Sequence, residues 1–73
     1  MSVYYLNLTV KYEDGIEHYE VHRENCGWFD DIKRAEKLGN FPDCHGAIRE
    51  AKRRHPSWRI DGCKHCSPEC HNL

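Results

Sequence analysis

The chain opens on a regular alternation. In VYYLNLTVKY, residues 3–12, Tyr4, Leu6, Leu8, Val10 and Tyr12 fall on one side of an extended chain, as in a half-buried β-strand. IEHYEVHR follows across Asp14-Gly15, a dipeptide that readily adopts the positive backbone angles of a two-residue hairpin turn. With those two residues as the loop, Glu13 faces Ile16, Val10 faces Tyr19 and Leu8 faces Val21. One face is then largely apolar on both strands, with Glu17 opposite Tyr12 as the exception. A slip by one residue would turn the apolar set to the other face, so the pattern specifies its own register.

After the hairpin the period fades. Residues 23–40 hold turn formers at Asn25, Gly27, Gly39 and Asn40 and predict mostly loop. Within them LGNF adds a third short strand, and Trp28 and Phe29 fold back onto the core. PDCHGAIREAKRRHP then predicts the main helix. Asp43 suits the N-cap, Lys52, Arg53 and Arg54 suit the negative end of the helix dipole, and Pro56 stops the helix. Cys44, Ala47, Ile48, Ala51 and His55 share one face, and Arg49, Lys52 and Arg53 another. SWRIDG reads as a connection. Ser67 followed by Pro68 begins a short helical turn; otherwise residues 67–73 are a frayed tail. The expected fold is α+β, a single domain over residues 1–73 with a hairpin packed on one helix.

Composition changes the picture. A 73-residue chain with 38% hydrophobic and 32% charged residues buries too little apolar surface to rely on its core alone. Five cysteines offer a covalent or metal cross-link. The N-terminus alternates instead of showing a basic segment and an apolar run, and no stretch approaches the roughly 18 apolar residues of a membrane span. A cytoplasmic protein with reduced thiols and no membrane association is expected, and an odd number of cysteines fits disulfides poorly. Metal is favoured.

Cys63-Lys64-His65-Cys66 is a C-x2-C knuckle that follows Gly62. Its two thiolates can reach one tetrahedral ion, at about 2.3 Å each. The competing redox reading needs the motif to open a helix in a βαβ unit, which the pattern lacks. A local site of Cys63, Cys66, Cys70 and His71 would place four ligands within nine residues. It would also ask adjacent side chains to converge, although they diverge on strands and helices alike. His22 and Cys26, an H-x3-C just past the second strand, are better partners. The expected ligands of a Zn2+ ion are therefore His22, Cys26, Cys63 and Cys66. Such a site ties the hairpin to the distant C-terminal segment and couples metal binding to folding by about 10 kcal/mol or more. Cys44 reads as a small buried hydrophobe. Cys70 and His71 read as tail residues or spare ligands, and His18, His45 and His65 as solvated.

Charge is divided unevenly. Residues 1–31 carry two basic and seven acidic side chains, and residues 32–65 carry nine basic and four acidic ones. Arg49, Lys52 and Arg53, extended by Arg54 and Arg59 and joined by Trp58, suggest phosphate contact and base stacking on DNA or RNA. Glu50 interrupts this patch. The expected function is a non-catalytic zinc-stabilised domain that binds nucleic acid weakly; the alternative is a zinc-stabilised adaptor for another protein. A Cys70–His71 nucleophile and base has no oxyanion hole or third member, and no small-molecule substrate is evident.

Val21 before His22, the H-x3-C, a loop, the LGNF strand, a helix and the final GCKHC together resemble the zinc domain of the Ada-type methylphosphotriester repair proteins. The resemblance covers about residues 16–66 and rests on the order and spacing of these features. It implies a shared zinc fold with ligands at His22, Cys26, Cys63 and Cys66. His22 stands where that family carries its methyl-accepting cysteine, so the resemblance implies that methyl transfer is absent. Related domains attached to some nucleases carry H-x3-C in the same place.

Overall fold

A computed structural model describes residues 1–27 and 34–72. Among the described residues, five strands and one α-helix follow in order: β1 Ser2–Asn7, β2 Lys11–Glu13, β3 Ile16–Arg23, β4 Ala35–Phe41, α1 Cys44–Arg54 and β5 Ile60–Gly62. A 3-10 turn, Pro68–Cys70, closes the described chain. The sheet runs β2-β3-β1-β4, with β5 parallel to the inner part of β3. This is the expected α+β arrangement, a helix packed on a mainly antiparallel sheet. None of the described helices is long and apolar enough to cross a membrane.

The hairpin turns where predicted, with Asp14 and Gly15 both at positive φ and Glu13 opposite Ile16. The pairing further along differs from the expectation. Val21 faces Leu6, not Leu8, and the β2–β3 ladder keeps the expected register but ends at Lys11–His18, before Val10 and Tyr19. Tyr19 pairs with Ile60 of β5 on the other edge of β3. The cause is local. Asn7 Oδ1 accepts the Thr9 N–H at 3.0 Å, and the Leu8 N–H donates to the Arg34 carbonyl at 2.7 Å. This side-chain turn ends β1 and makes the first strand pass carry two more residues than β3 between the pairs Leu6–Val21 and Lys11–His18. An offset of two keeps each side chain on its face, so Tyr4 and Leu6 remain in the core. Leu8 and Tyr12, beyond the break, are exposed, and Tyr12 keeps 67% of its surface in solvent.

The predicted LGNF strand is longer than expected. β4 pairs with β1 along its length, and its register shifts beside Gly39, which has a φ of 119°. Gly39 and Asn40 are therefore part of a bulged strand, where glycine takes up the irregular backbone. The expected folding back of Trp28 and Phe29 lies outside the described residues. SWRIDG is also more than a connection, because its last three residues form β5.

The helix matches its predicted signals. Asp43 Oδ1 accepts the His45 N–H at 2.9 Å, and the His55 N–H donates to the Ala51 carbonyl before Pro56. Its inner face places Cys44, Ala47 and Ala51 against Tyr4, Leu6, Val21, Leu38 and Ile60. Cys44 is completely buried as expected, but it is bonded to Cys70. Their Cα atoms are 6.4 Å apart, within the range a disulfide spans. The tail is thus tied to the start of α1 and not frayed. Five cysteines divide into one disulfide pair and three outside any disulfide, which accounts for the odd number.

Candidate metal centre

β3 ends at the core edge and delivers His22 there, opposite Tyr5 of β1. The chain then turns tightly, with the Cys26 N–H on the Arg23 carbonyl at 3.0 Å, and brings Cys26 back beside His22. β5 supplies the other half. The Cys63 N–H donates to the Val21 carbonyl at 3.0 Å, extending the β3–β5 ladder by one step. The Ser67 N–H donates to the Cys63 carbonyl at 2.7 Å and folds the knuckle so that Cys66 points inward. Parallel pairing of β3 and β5 therefore aligns the two half-sites side by side.

The four ligand atoms of His22, Cys26, Cys63 and Cys66 all lie within 4.8 Å of one another, and all four residues are buried. Cys26 Sγ is 3.9 Å from Cys63 Sγ, and Cys66 Sγ is 3.9 Å from His22 Nδ1. A tetrahedral ion with metal–sulfur bonds of about 2.3 Å and metal–nitrogen bonds of about 2.0 Å requires ligand atoms roughly 3.5–3.8 Å apart. The observed spacing is close to that, and the group can hold a metal ion.

The surroundings suit a charged centre. The Arg23 N–H points at Cys66 Sγ from 3.4 Å, a contact that favours a thiolate. His22 Nε2, the nitrogen away from the sulfurs, lies 3.4 Å from Glu20 Oε1. The other Glu20 oxygen is 3.4 Å from His18 Nε2. His18 is only 1% exposed, against the expectation of a solvated residue. It sits on the same strand as His22, with Glu20 between them. Burial lowers the proton affinity of His22, but Glu20 and Cys26 outweigh it and raise the pKa above the usual histidine value. The His22 imidazole beside it in turn lowers the pKa of Glu20. Burial raises the Cys63 thiol and pushes Cys66 up to about 12, with the neighbouring sulfurs adding to the shift in Cys66. Cys63 and Cys66 thus resist ionising, and a bound dication removes that resistance.

Cys70 and His71 lie elsewhere. His71 Nδ1 is 2.8 Å from Asp61 Oδ2 and 3.1 Å from the Gly62 carbonyl oxygen, and its Nε2 is 3.6 Å from Glu13 Oε2. The imidazole thus bridges β2 and β5, and the Asn72 N–H caps Asp61 Oδ1 at 2.7 Å. Sequence spacing gives no sign of this contact, because the parallel placement of β5 creates it.

The predicted basic surface separates into two groups. Arg53 makes two bonds to Glu50, at 3.1 and 2.6 Å. Arg54 bonds Glu50 at 2.7 Å, lies 3.3 Å from Glu36, and donates to the Lys37 carbonyl. Trp58 is sandwiched between Tyr19 and His55, with both ring centroids 3.8 Å away and nearly parallel. Its two faces are covered, so it offers none for stacking on a base. Arg49, Lys52 and Arg59 are exposed and have no carboxylate partner among the described residues.

No protein-family model matches this chain, and no curated protein or solved structure gives a match either.

Proposed function

We propose that this chain is a non-catalytic domain stabilised by Zn2+ on His22, Cys26, Cys63 and Cys66, and that it binds the phosphate backbone of DNA or RNA. The observation that carries the metal half is the meeting of four buried soft-donor side chains from two distant segments at near-tetrahedral spacing. Thiolate and imidazole donors suit zinc. Four protein ligands leave no open position, which fits a structural ion. The implied kinship with the Ada-type zinc domain belongs to the same reading, and it rests on the ligand order and the position of the helix.

Nucleic-acid contact is assigned to Arg49, Lys52 and Arg59, whose charges are not spent on carboxylates among the described residues. With Trp58 covered, recognition falls on phosphates and not on bases, so weak binding with little sequence preference is expected. Three phosphate contacts give a slope of roughly −3 in log affinity against log salt on duplex DNA. Binding that survives Arg49→Glu with Lys52→Glu, or that ignores salt, overturns this half.

The adaptor reading is favoured by one feature. Tyr12, the most exposed large hydrophobic of the hairpin, stands opposite Glu17 on one face of β2 and β3, where a protein partner could cover it. Tyr12→Ser separates the two readings, since it leaves phosphate binding unchanged.

A further inference from the structure

Four residues after Cys66, the same short segment is fastened a second time. Cys70 is bonded to Cys44, the first residue of α1. Between these points the chain is tightly packed. A Cβ built on Gly62 would come within 2.6 Å of Cys70 Cβ and 2.8 Å of the Ser67 carbonyl oxygen. The Cys70 N–H also donates to Ser67 at 3.0 Å. The knuckle that carries Cys63 and Cys66 is therefore held between β5 on one side and the disulfide on the other.

We propose that the Cys44–Cys70 disulfide is a reducible clamp that slows loss of the metal, and that small anionic thiols open it. The inference rests on the metal centre proposed above. Cys70 borders a hollow of about 340 Å³, and Cys44 does not. The same hollow is lined by two cations, Arg49 and Lys52, and one carboxylate, Glu69, so positive charge predominates. An anionic thiol is drawn in and attacks the Cys70 sulfur, giving a mixed disulfide and releasing Cys44. Cys44 leaves from the first position of a helix, where the dipole favours a departing thiolate. Once protonated, its S–H has an acceptor in Glu69 Oε1, 3.3 Å away. A second thiol then attacks the mixed disulfide and frees Cys70. In total two small thiols give two electrons and two protons to the pair and leave as one disulfide. With the clamp open, only β5 and the metal itself retain the knuckle.

The test uses the zinc-loaded full chain with its disulfide intact and follows zinc transfer to a chromophoric chelator. Adding glutathione should speed release on the order of tenfold. The double variant Cys44→Ser, Cys70→Ser should show the fast rate from the start and gain nothing from glutathione. Equal rates in the oxidised and reduced wild-type chains overturn the clamp alone. A chain that takes up no zinc in either state overturns the metal reading and the clamp with it. Lys52→Glu should slow opening by glutathione but not by uncharged 2-mercaptoethanol. If it slows both equally, or neither, the route through the hollow is wrong.

Discussion

His22 Nδ1 lies 3.9 Å from Cys66 Sγ although 44 positions separate the two residues, and Glu20 lies behind the same imidazole. This order of sulfur, imidazole and carboxylate fixes which ring nitrogen faces the proposed metal. Outer partners of this kind typically change metal affinity by roughly 10–100-fold. Glu20→Gln should weaken zinc binding by about tenfold and Glu20→Ala by more, with one zinc still bound at saturation. A competition titration against a calibrated chelator checks this, and an unchanged affinity would count against the role given to Glu20.

Trp58 separates a structural from a binding role. Stacked aromatic pairs are each worth about 0.5–1.5 kcal/mol, so losing both the Tyr19 and His55 contacts costs about 1–3 kcal/mol in stability. Trp58→Ala should lower the urea midpoint accordingly. The fraction that stays folded should bind nucleic acid as the wild type does. A variant with unchanged stability and lost binding would show that the ring contacts the ligand.

The hairpin turn, the helix with its Asp43 cap and Pro56 stop, and the pairing of an H-x3-C with a C-x2-C were all readable from local chemistry. What escaped that reading has a common physical origin. Asn7 uses its side chain to break a strand whose alternation continues unbroken, so Leu8 and Tyr12 look like core residues and are not. Gly39 looks like a turn and serves as a bulge, because a partner strand supplies the hydrogen bonds that hide its irregularity. Cys70 meets Cys44 only when the tail returns to the start of α1, and His18, paired with Glu20 on its own strand, owes its burial to the fold around it. His71 acquires its partners only when β5 lies parallel to β3. That long-range placement has no periodic signature in a three-residue strand.

Acid should loosen the outer surface of the helix. Arg53, followed by Arg54, holds the Glu50 carboxyl at about 2, below its ordinary 4.5. The hydrogen bond from His55 likewise lowers Glu36. A carboxylate with a depressed folded pKa adds stability above its unfolded value and loses it as pH falls through the folded value. Glu50→Gln should therefore be less stable than the wild type above pH 4.5, and the two should converge by about pH 2. The effect is small and fades with salt, since the pairs lie at the surface. Parallel pH–stability curves for the two proteins would contradict this assignment.

The central claim is that His22 and Cys26 share one zinc ion with Cys63 and Cys66 while Cys70 takes no part. Elemental analysis of protein purified without chelator tests it most directly. One zinc per chain is predicted for the wild type and for Cys70→Ser, and none for Cys26→Ser. Zinc retained in full by Cys26→Ser, or lost in Cys70→Ser, would contradict the account.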